Sequence, residues 1–151
     1  MKHIIKDVTT IASPAIIVHG VNCQRIMRSG VAKAICEKWP EVIESYLQFP
    51  EDEMFLGKVD VIEVDERLFV LNCWTQDSYG YDNAIYASVL AIELCLESTI
   101  HFAIKNGIRN IYSPRIGCGL GGLNWENDVE PIFNAVEKKY QNIQITICNL
   151  N

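Results

Sequence analysis

"AIIVHGVNCQRIMRSGVAKAI", residues 15–35, is the stretch on which the reading of this chain turns. Residues 15–19 form an apolar run closing on His19, the length of a buried strand. A polar stretch with Ser29-Gly30 follows, and then Val31, Ala34 and Ile35 recur at helical spacing. Strand, glycine-bearing loop and helix in that order is the layout of an anion cradle, where amide N–H groups and a helix start face the ligand. Arg25 and Arg28 stand where such a cradle favours small residues.

Upstream, residues 2–6 read as a short strand. Downstream, the helix of about 29–39 stops at Pro40, which suits the first turn of a second short helix carrying Val42, Ile43, Tyr46 and Leu47. "GKVDVIEVD" alternates as a strand, "ERLFVLNCW" is the next, and Asp65-Glu66 between them reads as a hairpin turn. A long helix is expected over 84–106, with the stripe Ile85, Val89, Ile92, Leu96 and Ala103. Asp82 or Asn83 is its expected N-cap and Gly107 its stop. "IRNIYSP" is a strand, residues 128–140 a helix with Pro131 in its first turn, and "IQITICNL" a final strand. Interleaved strands and helices with one hairpin predict a three-layer α/β/α sandwich around a mixed sheet, a single domain over 1–151. In such sheets ligands sit at the carboxyl ends of strands.

Bulk properties narrow the function. A hydrophobic fraction of 49% supports one sizeable core, and a net charge of -6 argues against a broad nucleic-acid or membrane-binding face. Six cysteines without a C-x-x-C read as reduced, buried thiols. With no signal-peptide core and no apolar run of membrane length, the expected location is cytoplasmic. A monomer is expected.

A second glycine loop lies in "PRIGCGLGGLNWEND", residues 114–128, where Gly117, Gly119 and Gly122 make a literal G-x-G-x-x-G between strand and helix. The dinucleotide fingerprint also asks for an acidic residue closing the next strand, and here that strand ends "CNLN". A Rossmann dehydrogenase is therefore disfavoured, while phosphate binding by backbone amides is retained. The plain alternative is a tight glycine turn without a ligand. Polar candidates near these loops are His19, Asn22, Asn72, Asp77, Tyr79, Tyr81 and Asp82. A structural role competes with function for His19, and helix capping for Asp82.

These segments together resemble a macrodomain. "IIVHGVNCQ", "SGVAKAI" and "KWPEVIESY" resemble the family's first ribose-and-phosphate segment, "PRIGCGLGGLNWE" its second phosphate loop, and "KDVT" its adenine-binding element. The closest likeness is to small stand-alone ADP-ribose-1''-phosphate phosphatases. The resemblance implies a cleft for a small ADP-ribose derivative, with no cofactor and no metal. It implies that Asp7 and Val8 lie at the adenine and Asn22 at the distal ribose. Ser29, Gly30, Val31 and Ala32, with Ile116, Gly117, Cys118, Gly119, Leu120 and Gly121, would cradle the diphosphate. His19 and Asp82 are the implied catalytic pair, in either acid–base assignment. Two departures from the pattern stand out. The first loop of the family is typically richer in glycine, and Arg25 and Arg28 stand at positions where the resemblance leads one to expect it. The lysine and second-loop aspartate of one glycohydrolase branch are absent, Gly121 standing at the aspartate position. A catalytically silent ADP-ribose module, and an esterase acting on O-acyl-ADP-ribose or ADP-ribosylated acidic residues, are the alternative functions.

Overall fold

The computed structural model describes residues 1–24, 30–50, 55–78 and 84–150. Arg25, Arg28, Ser29, Tyr79, Tyr81, Asp82 and Asn83 lie outside the described residues. Strands β1 (Lys2–Ile5), β2 (Ala15–Asn22), β3 (Val59–Asp65), β4 (Leu68–Gln76), β5 (Asn110–Ser113) and β6 (Gln144–Asn149) form one sheet, in the order β1-β6-β5-β2-β4-β3. Every pairing is parallel except the β3–β4 hairpin. Helices α1 (Gly30–Lys38) and α2 (Pro40–Tyr46) cover one face, and α3 (Val89–Lys105) and α4 (Glu130–Lys139) the other. This is the mixed-sheet α/β/α sandwich expected from the sequence.

Strand β2 shows why. Its residues alternate between two cores, Ala15, Ile17 and Val21 against the α1/α2 layer, Ile16 and Val18 against the α3/α4 layer. A strand covered on both faces reads as an unbroken apolar run, as this one does. Its neighbours are β5 and β4, both parallel to it, so three strands end side by side at one edge of the sheet.

Four boundaries differ from expectation. Strand β2 continues to Asn22, so His19 lies within it rather than at its end. The hairpin turn is Glu66-Arg67, one residue later than the Asp65-Glu66 reading. Arg67 adopts φ 57, and its guanidinium donates to the carbonyls of Asn106 and Gly107 at the end of α3. Helix α3 starts at Val89, capped by Ser88, whose Oγ accepts from Ala91 N–H at 3.1 Å. Residues 84–88 precede it in a non-helical path in which the N–H groups of Tyr86, Ala87 and Ser88 bond outside the helix, and Ile85 is exposed rather than part of the core stripe. The last helical segment begins with a π turn, Trp125–Val129, ahead of α4, and Pro131 sits in the first turn of α4 as expected.

The six cysteines are free thiols, four of them buried. Among the described residues no helix is long and apolar enough to cross a membrane.

Candidate active site

The exits of β2, β4 and β5 are tied into one rim. Beyond β2, Cys23 N–H donates to the carbonyls of Gln76 (3.0 Å) and Asp77 (3.2 Å), and the Gln24 amide donates to Asp77. The segment 84–88 binds β4 through Ser88 N–H to Thr75 O at 2.7 Å. It binds the second glycine loop through Tyr86 and Ala87 N–H, both to Gly121 O. Ile116 lies over Gly20, where a Cβ would come within 3.2 Å of its Cγ2. The second glycine loop thus packs over β2 at Gly20 and, through residues 86–88, is tied to the β4 exit at the carboxyl edge.

Glycine is required at specific points of the second loop. Gly117 and Gly122 adopt φ 79 and 86. A Cβ on Gly122 would stand 2.5 Å from Ala84 O, and one on Gly121 would stand 2.7 Å from Gly117 O. Ile116, Cys118, Gly122 and Leu123 N–H groups close turns within the loop. Among the described residues, the N–H groups of Gly117, Gly119, Leu120 and Gly121 donate to no acceptor. Such a set of unsatisfied donors at the start of a helical segment suits an anion. Asn124 Oδ1 accepts from Asn127 N–H and Asp128 Oδ2 from Asn124 N–H, which fixes where that segment begins. Burial pushes the half-buried Cys118 thiol up to about 11, so it is protonated at neutral pH.

On the first loop, Gly30 opens α1 with φ 63, and open space lies where its Cβ would be. Val31 and Ala32 follow in the first turn, whose N–H groups have no intrahelical acceptor. Asn22 is buried at the end of β2. Its Oδ1 accepts from Gln24 N–H at 2.9 Å and from the Tyr46 hydroxyl at 2.9 Å.

His19 takes a different place from the rest. Buried on the α2 face, its Nε2–H donates to Asn72 Oδ1 at 2.6 Å. The Asn72 amide nitrogen donates in turn to Val42 O and Asp60 Oδ2, and Asp60 Oδ2 also accepts from Ser45. That network fixes the tautomer: with Asn72 Oδ1 turned to the ring, the proton is on Nε2. Burial lowers the imidazole pKa to about 4, against the raising effect of Asn72, so the ring is neutral at pH 7. Nδ1 has no partner. The sheet register sets His19 opposite Asn72, three residues before Asn22, and the structure does not bring it to the rim.

At the far end of the sheet's carboxyl edge, Asp7 caps a single 3-10 turn, Val8–Thr10. Its Oδ1 accepts from Thr9 N–H and Thr9 Oγ, which holds the carboxyl below its ordinary pKa. The Asp7 side chain is exposed, whereas Val8 packs into the α1/α2 core.

Sequence reasoning did not anticipate the 84–88 segment against Gly121, nor the contact of Tyr46 with Asn22. Tyr46 was legible only as an apolar position on α2. Two open depressions of about 800 and 840 Å³ lie at the opposite edge, sharing Arg109, Gln141, Asn142 and Ile143. The carbonyl ends of α3 and α4 border the first, and Arg109 Nε already donates to Asn142 O, so neither suits an anion as the carboxyl edge does.

Parallel strands flanked by helices, with a glycine loop presenting unbonded amides at the carboxyl edge, define a three-layer α/β domain with a candidate anion-facing loop. The chain belongs to the Macro domain family, whose model matches residues 18–132. It is 30% identical over 131 residues to an uncharacterized 17.5 kDa protein of Enterobacteria phage T4, covering 83% of this chain and 81% of that one. It is 29% identical over 140 residues to the ADP-ribose glycohydrolase OARD1 of Bos taurus, covering 89% and 81% respectively. Among solved structures, the macrodomain of Mycobacterium tuberculosis DarG superposes with a TM-score of 0.83 at 22% identity, over 98% of this chain and 96% of that one.

Proposed function

We propose that the chain is an ADP-ribose-binding hydrolase that removes phosphate from ADP-ribose 1''-phosphate. Water adds to phosphorus, the bond from phosphorus to the ribose oxygen breaks, and that oxygen leaves with a proton as ADP-ribose. The observation that carries the reading is the set of unbonded amides on the second glycine loop, which leaves β5 beside β2, the parallel strand that ends at Asn22. A diphosphate fits the amides and a ribose hydroxyl fits Asn22. The name of the bovine relative supports ADP-ribose as the ligand class.

The same name raises a second reading, cleavage of ADP-ribose from a modified carboxyl or an O-acyl ester. Against the lysine-adduct form of that chemistry stands the absence of lysine from β4. Gly121 adds to this, since a side chain there would meet Gly117 O at 2.7 Å. In the proposed reaction Asp82 orients or deprotonates the water. His19, neutral and hydrogen-bonded to Asn72, acts on the strand that carries Asn22 rather than by proton transfer. General acid–base help contributes on the order of 10²–10⁴-fold, and positioning supplies the remainder.

The test is a panel of ADP-ribose 1''-phosphate, O-acetyl-ADP-ribose and an ADP-ribosylated acidic peptide, scored for turnover, with calorimetry on ADP-ribose. Phosphate release from the first, lost in Asp82→Ala, is expected. Release of ADP-ribose only from the esters moves the assignment to the second reading. Binding without turnover of any of them leaves a silent module. No saturation at millimolar ADP-ribose removes the function altogether.

A further inference from the structure

Buried hydroxyls are as a rule hydrogen-bonded, and Thr75 is an exception. It is 1% exposed, and among the described residues its Oγ has no partner. It is also the extra residue of a bulge. Strands β2 and β4 pair Val21 with Trp74 and then Asn22 with Gln76, which leaves Thr75 unmatched. Bulges recur beside active sites, where they re-aim a side chain. Here the side chain turns toward Gly20 of β2 and Ile116 of the second glycine loop. A Cβ on Gly20 would stand 2.5 Å from Thr75 Oγ and 3.2 Å from Ile116 Cγ2. The missing side chain therefore leaves a notch with the hydroxyl at its base. Gly20 is half-buried, so the notch keeps an opening to solvent. Ile116 leads into the loop on which the N–H groups of Gly117, Gly119, Leu120 and Gly121 are unbonded among the described residues. The Thr75 backbone is held in place, its carbonyl accepting from Ser88 N–H at 2.7 Å.

We propose that Thr75 is a further ligand-binding residue, whose hydroxyl donates to an oxygen of the anion held by the second glycine loop. This rests on the ADP-ribose reading, in which that anion is the diphosphate. Ile116 covers the hydroxyl in the free protein, and its side chain turns aside as the anion settles on the adjoining amides. An unpaired buried hydroxyl costs the free protein stability. Valine would fill nearly the same space without that cost, so packing does not account for a hydroxyl at this position. A partner that arrives with the ligand does.

The experiment compares wild type, Thr75→Val and Thr75→Ser by calorimetry with ADP-ribose and with ADP, and by thermal unfolding of the free proteins. Thr75→Val is expected to leave the Tm of the free protein unchanged or higher, because it removes an unpaired group. It is expected to weaken ADP-ribose and ADP alike, each about ten-fold, the weight of one hydrogen bond. Thr75→Ser keeps the hydroxyl and is expected to recover most of that affinity. Unchanged affinity in Thr75→Val overturns the proposal, as does a serine variant that binds no better than the valine one. A lower Tm in Thr75→Val also overturns it, since the hydroxyl then has a partner in the free protein. So does a loss confined to ADP-ribose, because ADP carries the diphosphate without the distal ribose. If the wild-type protein binds neither nucleotide, the ADP-ribose reading falls. Inorganic pyrophosphate then decides Thr75: saturation that Thr75→Val weakens keeps the assignment, and no saturation overturns it.

Discussion

At neutral pH His19 is an uncharged ring in the middle of a sheet, and this has a measurable consequence. Unfolded, the imidazole takes up a proton near pH 6.5; folded, its pKa is about 4 because burial disfavours the cation. Stability from this group is therefore complete above pH 6.5, falls as the pH drops from 6.5 toward 4, and levels off below. Between pH 7 and 4.5 the loss amounts to roughly 2–3 kcal/mol. Urea unfolding at the two pH values should show it, and His19→Gln should remove that part of the difference. A pH dependence identical in wild type and variant would sink the assignment. Among the candidate site residues, Asn22 and the second-loop glycines stand out in sequence because loop chemistry leaves a local mark there. The depth of His19 does not, because a histidine after four apolar residues reads equally as the end of a strand or as its middle. What decides is Asn72, a partner 53 residues away that only the sheet register supplies.

Helix α3 shows where element-level reading works and where tertiary bonds override it. The apolar spacing correctly located its body and the Gly107 stop, where φ is 66. Its start was misplaced because residues 84–88 have helix-compatible side chains, while their backbone bonds to Thr75 and Gly121 instead. Ser88 then caps, and Ser88→Ala should cost about 1 kcal/mol in urea unfolding. The second glycine loop permits a sharper contrast. Gly122 has φ 86 and a Cβ there would stand 2.5 Å from Ala84 O, so Gly122→Ala should cost about 1–3 kcal/mol or more. Gly119 has open space around its Cβ position and no positive φ, so Gly119→Ala should fall within about 0.5 kcal/mol of wild type. Equal losses at the two positions would mean the loop is not built as described. The motif G-x-G-x-x-G marked the loop, but only the packing of 84–88 against it separates glycines that hold the loop together from one that does not.

For the molecule as a whole, a net charge of -6 opposes the approach of an anionic nucleotide, so affinity has to arise locally. The unbonded amides of Gly117, Gly119, Leu120 and Gly121, and the first turn of α1, supply fixed dipoles rather than mobile counter-charge. These loops leave the sheet at the ends of β2 and β5, the strands at its centre. A ligand that bridges them adds a tie between segments otherwise far apart in sequence, and it does so only in the folded state. ADP-ribose at one hundred times its dissociation constant should therefore add about 2.7 kcal/mol to stability. For a chain of this size that corresponds to a rise in Tm of about 5–10 °C. ATP carries the adenine and phosphates without a distal ribose for Asn22, and should raise Tm less at equal concentration. Asn22→Ala should narrow the gap between the two nucleotides, since the ribose contact proposed for Asn22 is removed. A thermal shift series across these ligands and both proteins makes the comparison. Equal shifts for ATP and ADP-ribose in the wild-type chain would show that the cleft reads phosphates alone.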